Sequence, residues 1–289
     1  GSYNIELDAG ALVAPDGRTS VSIPADFWTL NIADYGISGS TIPGGVPTVI
    51  QLGTEYTIDI ALDGENVDRA VFTCEDGLIS SDDTTITLTL TETAETRRLY
   101  PFDFALNVTH RLCADGFETR FTVENHTGRD MPFLIGGHPA FACPVGGEGR
   151  FEDYVLRFEK PEDGHVSLCD LATHLVDRTA PAPLEADMRT LPLRHADYDR
   201  IDTFIFDGLK SRSVDLVHRE TGHGIRLSFD MPVLAVWTMP GKNAPYVCLE
   251  PWQGMPASAD ETGRFEDKPY CVTLGVGQAF TCGYRMRIL

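Results

Sequence analysis

Residues 104–123, FALNVTHRLCADGFETRFTV, contain two runs in which apolar and polar side chains alternate. Positions 104–112 place Phe, Leu, Val, His and Leu at every second site, and apolar residues recur in 117–123 between charged and hydroxyl residues. Successive side chains of a β-strand point to opposite faces, so the alternation predicts two strands that are each buried on one face. Asp115-Gly116 between them is a typical turn sequence. The segment therefore predicts a long antiparallel hairpin.

The same two-residue period recurs along the rest of the chain. It is clear in 84–91 (TTITLTLT), in 225–230 and in the tail at 280–288. The 27 glycines and 18 prolines divide the chain into short elements. Roughly fifteen strands are more than one open sheet comfortably carries, so we predict an all-β fold of two large packed antiparallel sheets. Helical spacing is confined to 184–195, where Pro192 interrupts it.

The composition excludes several classes of partner. The 289 residues include 23 basic and 43 acidic side chains, a formal net charge of −20. A surface this negative repels phosphate backbones and anionic headgroups, so we expect neither nucleic acid nor membrane as a partner. The seven cysteines form no CxxC pair, which favours reduced thiols and a cytoplasmic protein. No break in composition divides the chain, and we predict a single domain over 3–289.

A histidine stands in a conformationally restricted segment at 136–141, GGHPAF. Pro139 fixes its own φ and pushes His138 toward extended backbone. The two glycines before it permit an unusual turn or the close approach of a ligand. Such a backbone aims an imidazole, and we interpret His138 as a candidate catalytic residue. The alternative interpretation is a structural histidine that caps a loop.

A carboxylate ends an apolar run at 248–254, CLEPWQG. Glutamate at the edge of a buried strand is costly unless it is paired or used in chemistry. The Trp252 ring offers a flat apolar face with an N–H donor at its edge, which suits a sugar ring. Glu250 and Trp252 are therefore candidate site residues. The alternative for Glu250 is a salt bridge at a strand end.

Three more residues are candidates for contacting a ligand. Trp237 lies upstream in VLAVWTMPG, where a position in the core is the alternative. Asp202 enters a strand from an acidic segment, and Arg97 precedes an aromatic stretch; a solvated loop and a surface ion pair are their alternatives. The histidine and cysteine spacings match no metal motif, and the sequence has no phosphate-binding or dinucleotide-binding glycine motif. We therefore expect no metal ion and no cofactor.

Taken together, four motifs resemble the aldose 1-epimerase (galactose mutarotase-like) superfamily, and within it the LacX-like branch: YPFDF at 100–104, GGHPAFACP at 136–144, WTMPG at 237–241 and CLEPWQG at 248–254. The likeness covers about 84–289. It implies a β-supersandwich of large antiparallel sheets with an active site on a concave sheet face and no cofactor. It places His138 as general acid and Glu250 as general base. The expected sugar contacts are Trp237, Trp252, Asp202, Arg97 and Phe141.

The implied reaction is the interconversion of the α and β anomers of a free aldose. A base takes the proton of the C1 hydroxyl and an acid protonates the ring oxygen, so the ring opens, and it then closes on the other carbonyl face. On this interpretation Glu250 starts ionised and His138 starts protonated. Each group has roughly 3 Å of hydrogen-bond reach, so we expect the two to lie about 5–8 Å apart across an open groove.

We therefore predict an isomerase of carbohydrate metabolism, an aldose 1-epimerase or mutarotase, that binds a monosaccharide as a monomer or homodimer. The N-terminal third departs from the family because it has no histidine between positions 3 and 95. One alternative is a non-catalytic carbohydrate-binding protein on the same fold. Another is a glycoside hydrolase, which needs a second carboxylate near Glu250, with Asp202 the candidate. A structural β-protein is the third.

Overall fold

A computed structural model describes the chain over 84–289, apart from residues 95, 164, 170–172, 174, 179–187 and 259, and before residue 84 it describes the backbone of seven strands. The chain forms two compact units, one of Gly1–Met131 with Leu274–Thr281 and the other of Pro132–Thr273 with Cys282–Leu289. Each unit is described by itself below. The single domain over 3–289 stays a prediction.

The first unit is built from short strands that pair with their neighbours in the chain. They are β1 (Ser2–Tyr3), β2 (Leu30–Asn31), β3 (Tyr35–Ser40), β4 (Thr48–Val49), β5 (Glu55–Leu62), β6 (Glu65–Thr73), β7 (Leu78–Ser81), β8 (Thr85–Thr91), β9 (Phe104–Cys113) and β10 (Gly116–Asn125), with the short helix α1 (Thr96–Leu99) before β9. The sheet order is β10-β9-β8-β7-β4, and β3-β5-β6 form a separate three-stranded sheet. The predicted hairpin is confirmed, because β9 and β10 pair antiparallel from Cys113–Gly116 to Phe104–Asn125.

The remaining elements follow in chain order. They are β11 (Met131–Phe133), β12 (Ile135–Gly136), β13 (Ala140–Ala142), β14 (Tyr154–Glu162), β15 (Leu168–Cys169), β16 (Val176–Asp177), β17 (Met188–Pro192), α2 (His195–Ile201), β18 (Thr203–Asp207), β19 (Ser213–His218), β20 (Gly224–Phe229), β21 (Val233–Trp237), β22 (Tyr246–Gln253), β23 (Val272–Leu274) and β24 (Ala279–Ile288). Single 3₁₀ turns lie at Val145–Gly147, Phe151–Asp153 and Phe265–Asp267.

The second unit contains two sheets. In the first sheet the strand order is β17-β14-β19-β20-β24. In the second sheet β22 pairs with β21 along one edge and with both β12 and β13 along its opposite edge, and β18 pairs with the far edge of β21. The paired strands run antiparallel. The prediction of an all-β protein with large antiparallel sheets is confirmed.

The helical spacing at 184–195 forms no helix in its described part before His195. The described part of that segment is a strand, β17, and the helix begins at its far end, as α2 (His195–Ile201). Tyr198 and Ile201 are buried three residues apart on one side of α2, so packing against the core selects the helix where the local sequence gives a weak signal. Pro192 is the last residue of β17. A proline is tolerated at a strand end because its missing N–H is not needed there for a ladder hydrogen bond.

The central strands of the sheet around β22 are buried on both faces, and one of these faces consists of apolar residues. Every second residue of the central strands, including Val236, Val247 and Leu249, is fully buried. Branched side chains pack well on a pleated, buried surface, which is why this sequence forms strands here. The alternate residues of β22 point to the other face, and these include the glutamate and tryptophan that the sequence singled out.

Candidate active site

The register of the strands beside β22 brings His138 and Glu250 together. β12 pairs Gly136 with Trp252, and β13 pairs Ala140 with Cys248. Both pairings belong to one register, in which the residue between them, His138, falls opposite Glu250. Side chains on directly opposed residues of neighbouring strands point to the same face and touch. The two residues lie 112 positions apart in the chain, and the sheet makes them neighbours.

His138 occupies the interruption between β12 and β13. The backbone on either side is held to β22, because the Gly137 N–H donates to the Pro251 carbonyl at 3.0 Å and the Leu249 N–H donates to the Pro139 carbonyl at 3.1 Å. Pro139 has no N–H of its own to contribute to a ladder. The backbone is thus fixed while the imidazole itself remains 64% exposed.

The glycines before His138 make room for aromatic rings. A Cβ on Gly136 would lie 2.5 Å from Trp252 Cδ1, and one on Gly137 would overlap the ring of Tyr284. Neither glycine has the positive φ of an unusual turn. The sequence predicts that these glycines permit either an unusual turn or the close approach of a ligand. In the structure they permit close approach, and the groups that come close are the rings of Trp252 and Tyr284.

The two candidate catalytic groups are in contact. His138 Nε2 lies 3.3 Å from Glu250 Oε1, and the Glu250 side chain is 4% exposed. The expected separation of about 5–8 Å is therefore wrong. It assumed a sugar between the two groups, whereas cross-strand neighbours have Cβ atoms only about 5 Å apart and their tips can meet directly.

The environment of Glu250 favours its protonated form. The pKa of the Glu250 carboxyl is raised to about 8, first by burial and then by the negative charge of Asp202, while a hydrogen bond from Trp252 opposes the rise. A carboxylate that loses its hydration becomes a stronger base. Glu250 therefore has the character of a proton acceptor that works near neutral pH.

Asp202 stands close to this pair at the start of β18. It ends α2, where its N–H donates to the Tyr198 carbonyl at 2.7 Å, and its φ of 64° is unusual for a residue with a side chain. Its carboxylate accepts a hydrogen bond from the Thr203 hydroxyl at 2.7 Å. Strained backbone of this kind occurs often at functional sites.

Trp237 and Trp252 flank the pair along the sheet. The Trp237 ring meets the His138 ring edge to face, with centroids 6.1 Å apart, and it also lies 6.0 Å from the Tyr246 ring. Trp252 is half-buried and packs on the apolar cluster beneath this end of the sheet. Both tryptophans keep part of their surface open.

A cavity of about 390 Å³ opens beside the two catalytic candidates. Its lining includes Gly136, His138, Glu250, Trp252 and Gln253. Ligand-binding pockets for small molecules begin at roughly 300 Å³, so the space suits a monosaccharide. The lining contains no lysine and no arginine among the residues described.

One predicted contact, Phe141, lies away from this cluster, and another, Arg97, belongs to the other unit. Phe141 follows Ala140 on β13, so its side chain points to the opposite sheet face, where it is 4% exposed in the core. Arg97 belongs to the first unit, where its guanidinium pairs with Glu92 at 2.9 Å and with Asp103 at 2.7 Å. A sugar contact from Arg97 stays a prediction.

Sequence reasoning missed two residues of the same sheet face. Tyr246 and Cys248 precede Glu250 on β22 at two-residue intervals, so all three side chains share a face with Trp252. The alternation in YVCLEPWQ is the signal that could have found them. The donor atoms of His138, Cys248 and Glu250 lie within 4.8 Å of one another, a set able to hold a metal ion.

Solved structures place the fold in a known class. The chain is similar to a galactose mutarotase related enzyme from Lactobacillus acidophilus, with a TM-score of 0.65 and 25% identity over 76% of each chain. It is also similar to a galactose mutarotase-like protein from Lactobacillus casei ATCC 334, with a TM-score of 0.65 and 27% identity over 74% of each chain. The fold is that of the galactose mutarotase-like proteins, which confirms the predicted β-supersandwich.

The sequence profile of the aldose 1-epimerase family matches residues 62–287. The chain therefore belongs to the aldose 1-epimerase family. It is 35% identical over 190 residues to the plasmid and chromosomal forms of protein LacX from Lactococcus lactis subsp. lactis, which confirms the LacX-like branch. The match covers 65% of this chain and 63% of LacX, so it spans less than two thirds of the length of these relatives.

Over the residues that the structure describes, neither helix has the length or apolar character to cross a membrane.

Proposed function

We propose that the protein is an aldose 1-epimerase that interconverts the anomers of a free, uncharged aldose. The observation that carries the proposal is the contact of 3.3 Å between an exposed imidazole and a buried carboxyl at the edge of an open cavity. Family membership supports the same chemistry. General acid–base catalysis needs only such a pair, positioned within hydrogen-bond reach of the reacting oxygens.

In the proposed reaction Glu250 accepts the proton of the C1 hydroxyl while His138 donates a proton to the ring oxygen. The electron pair of the O–H bond forms the carbonyl, and the pair of the C1–O bond remains on the released ring oxygen. Rotation about the C1–C2 bond presents the other carbonyl face, and closure reverses both proton transfers. Each transfer contributes about 10²–10⁴-fold when the pKa of the group lies near the working pH.

The contact between the two groups is compatible with this reaction because both reacting oxygens are bonded to the same carbon. His138 is exposed and its backbone is fixed, so its ring can turn away from Glu250 and approach the ring oxygen. Glu250 is buried and accepts a hydrogen bond from Trp252, so it stays in place for the C1 hydroxyl. Trp237, Trp252 and Asp202 are the proposed sugar contacts.

The charge of the site favours a sugar without phosphate. The described cavity lining offers no lysine or arginine for a phosphate group, and Asp202 and Glu250 are both acidic. A phosphate would meet repulsion there and would lose hydration without a charged partner in return. We therefore propose free hexoses as the substrates to test first.

Polarimetry of freshly dissolved α-glucose and α-galactose tests the proposal. The protein is expected to accelerate the approach to equilibrium rotation, and His138→Asn and Glu250→Gln are each expected to lower kcat by about 10²-fold or more with a much smaller change in sugar affinity. Absence of acceleration for any common aldose, together with measurable sugar binding, would favour the non-catalytic carbohydrate-binding alternative.

Asp202 supports a second candidate, a glycoside hydrolase, because its charge acts directly on Glu250. Glycosidases use two carboxyl groups that flank the scissile bond. In this site an imidazole contacts Glu250 at 3.3 Å, which fits proton exchange at an anomeric centre better. Release of nitrophenol from nitrophenyl glycosides, abolished by Asp202→Asn, would establish the hydrolase instead.

A further inference from the structure

Three potential metal ligands of different chemistry converge at the catalytic candidates. Cys248 and Glu250 lie two residues apart on the same face of β22, and the register of β12 and β13 places His138 opposite Glu250. We propose that these three side chains bind a thiophilic divalent cation such as Zn²⁺ and that the bound ion shuts off the site. The inhibition rests on the proposed function, whereas the binding does not.

The distances are close to those of a zinc site. Zinc bonds nitrogen and oxygen at about 2.0–2.2 Å and sulfur at about 2.3 Å, so ligand atoms around a tetrahedral ion stand roughly 3.3–3.6 Å apart. His138 Nε2 and Glu250 Oε1 are 3.3 Å apart, and all three donor atoms lie within 4.8 Å of one another. A small rotation of side chains closes the remaining gap to the sulfur.

Access to the site depends on His138. Cys248 and Glu250 are 2% and 3% exposed, so they form the fixed floor of the site. The His138 side chain is 64% exposed and lies outermost, so its ring can swing out, admit the ion and return as the third ligand. With three protein ligands, a tetrahedral ion would take water as its fourth ligand.

The ligand set selects the type of ion. A thiolate and an imidazole favour zinc and its softer relatives over magnesium and calcium, which prefer oxygen ligands. The net charge of −20 and the nearby carboxylate of Asp202 attract cations to this region. Coordination releases the thiol proton to solvent and occupies the lone pairs that His138 and Glu250 need for proton transfer.

Direct metal binding to the purified protein tests the site apart from its activity. Co²⁺ is used as the probe because a cysteine thiolate bound to it produces a charge-transfer absorption band. We expect one Co²⁺ per chain with this band, displacement by one Zn²⁺, and loss of the band in Cys248→Ser. Cys282→Ser is the matched control, since Cys282 is also 2% exposed but lies outside the cluster, and it should retain the band.

A second variant keeps the metal site testable if Cys248→Ser fails to fold. His138→Asn keeps the thiol but removes the outer ligand, and we expect it to weaken binding roughly tenfold or more. In polarimetry, we expect Zn²⁺ to inhibit mutarotation by the wild type and a chelator to restore the activity. We expect Cys248→Ser to remain active when Zn²⁺ is added.

No band in the wild type, or a band that persists in folded Cys248→Ser, would overturn the metal site. Unchanged affinity in His138→Asn would overturn it as well. Stoichiometric metal binding by a protein whose metal-free form, prepared with a chelator, fails to accelerate mutarotation would instead refute the proposed function and leave the site standing.

Discussion

Glu250→Gln is expected to stabilise the fold while removing the proposed base. The pKa of Glu250 is raised from 4.5 to about 8, chiefly by burial. The folded protein therefore holds this proton more tightly than the unfolded chain does. The stability that results is fully present below pH 4.5 and is lost as the pH rises through about 8. Glutamine does not titrate, so the variant loses this dependence on pH.

The size of the effect follows from the same pKa. The interval from 4.5 to about 8 corresponds to roughly 5 kcal/mol at about 1.36 kcal/mol per pKa unit, and this is an upper limit. A hydrogen bond from Trp252 opposes the rise, and relaxation of the buried site lowers the real cost further. We expect Glu250→Gln to raise the free energy of unfolding by about 1–3 kcal/mol at pH 8, or roughly 2–4 °C in Tm for each kcal/mol. Near pH 4.5 the gain should vanish.

Glu162 provides the matched control. It is also buried, at 4% exposure, but its carboxylate accepts hydrogen bonds from the N–H groups of Lys210 and Ser211 and from the Ser211 hydroxyl. Glu162→Gln should therefore lower Tm, because it replaces a hydrogen-bond acceptor with an amide donor. Thermal unfolding of both variants at pH 5 and pH 8 compares them. If Glu250→Gln destabilised the protein at pH 8 as Glu162→Gln does, Glu250 would be a satisfied structural carboxylate and the reasoning would be refuted.

Three further substitutions probe the surroundings of the site. Asp202→Asn removes a negative charge that raises the pKa of Glu250, so the acid limb of kcat/KM against pH should move to lower pH. Gly136→Ala puts a methyl group 2.5 Å from Trp252 Cδ1, which displaces the ring, and we expect KM for the sugar to rise by about tenfold. Tyr198→Phe removes a buried hydroxyl that has no hydrogen-bond partner among the residues the structure describes, so the free energy of unfolding should stay level or rise by up to about 1 kcal/mol.

Two of these substitutions have a control within the chain, and the third has a result that would contradict it. A Cβ on Gly128 meets no atom within 4 Å, so Gly128→Ala should leave KM unchanged, and an equal rise there would contradict the role given to Gly136. Tyr154 is equally buried but donates to the Val145 carbonyl at 3.1 Å, so Tyr154→Phe should cost about 1 kcal/mol or more. If the acid limb of kcat/KM against pH stayed in place in Asp202→Asn, the charge of Asp202 would not be raising the pKa of Glu250.

The strands could be predicted because their signal is local. Alternation in 104–123 gave the hairpin, since the period of two follows from the pleat itself and needs no knowledge of the partner. The helix α2 could not be predicted from the local sequence. Burial of Tyr198 and Ile201 stabilises it, and the core that buries them exists only in the folded chain. Motif resemblance identified His138 and Glu250 as a pair.

Their distance and their neighbours required the register of the strands. Pairing of Gly136 with Trp252 and of Ala140 with Cys248 is a property of two segments that are more than a hundred residues apart. The spacing of histidines and cysteines along the chain does not reveal the cluster with Cys248, because His138 joins it from a neighbouring strand. Within β22 alone, the two-residue interval from Cys248 to Glu250 was visible.

The two candidate catalytic residues differ in exposure, and in the proposed reaction this leaves His138 as the residue that moves. Glu250 is held by burial and by Trp252, so any space for a sugar between the two groups must come from His138. Pro139 and the hydrogen bonds on both sides fix the backbone, so that movement is a rotation of the imidazole about its side-chain bonds. Rotamer changes of exposed side chains take picoseconds to nanoseconds, far faster than enzymatic turnover. In the proposed reaction we therefore expect the contact of 3.3 Å to be a resting arrangement whose opening does not limit turnover.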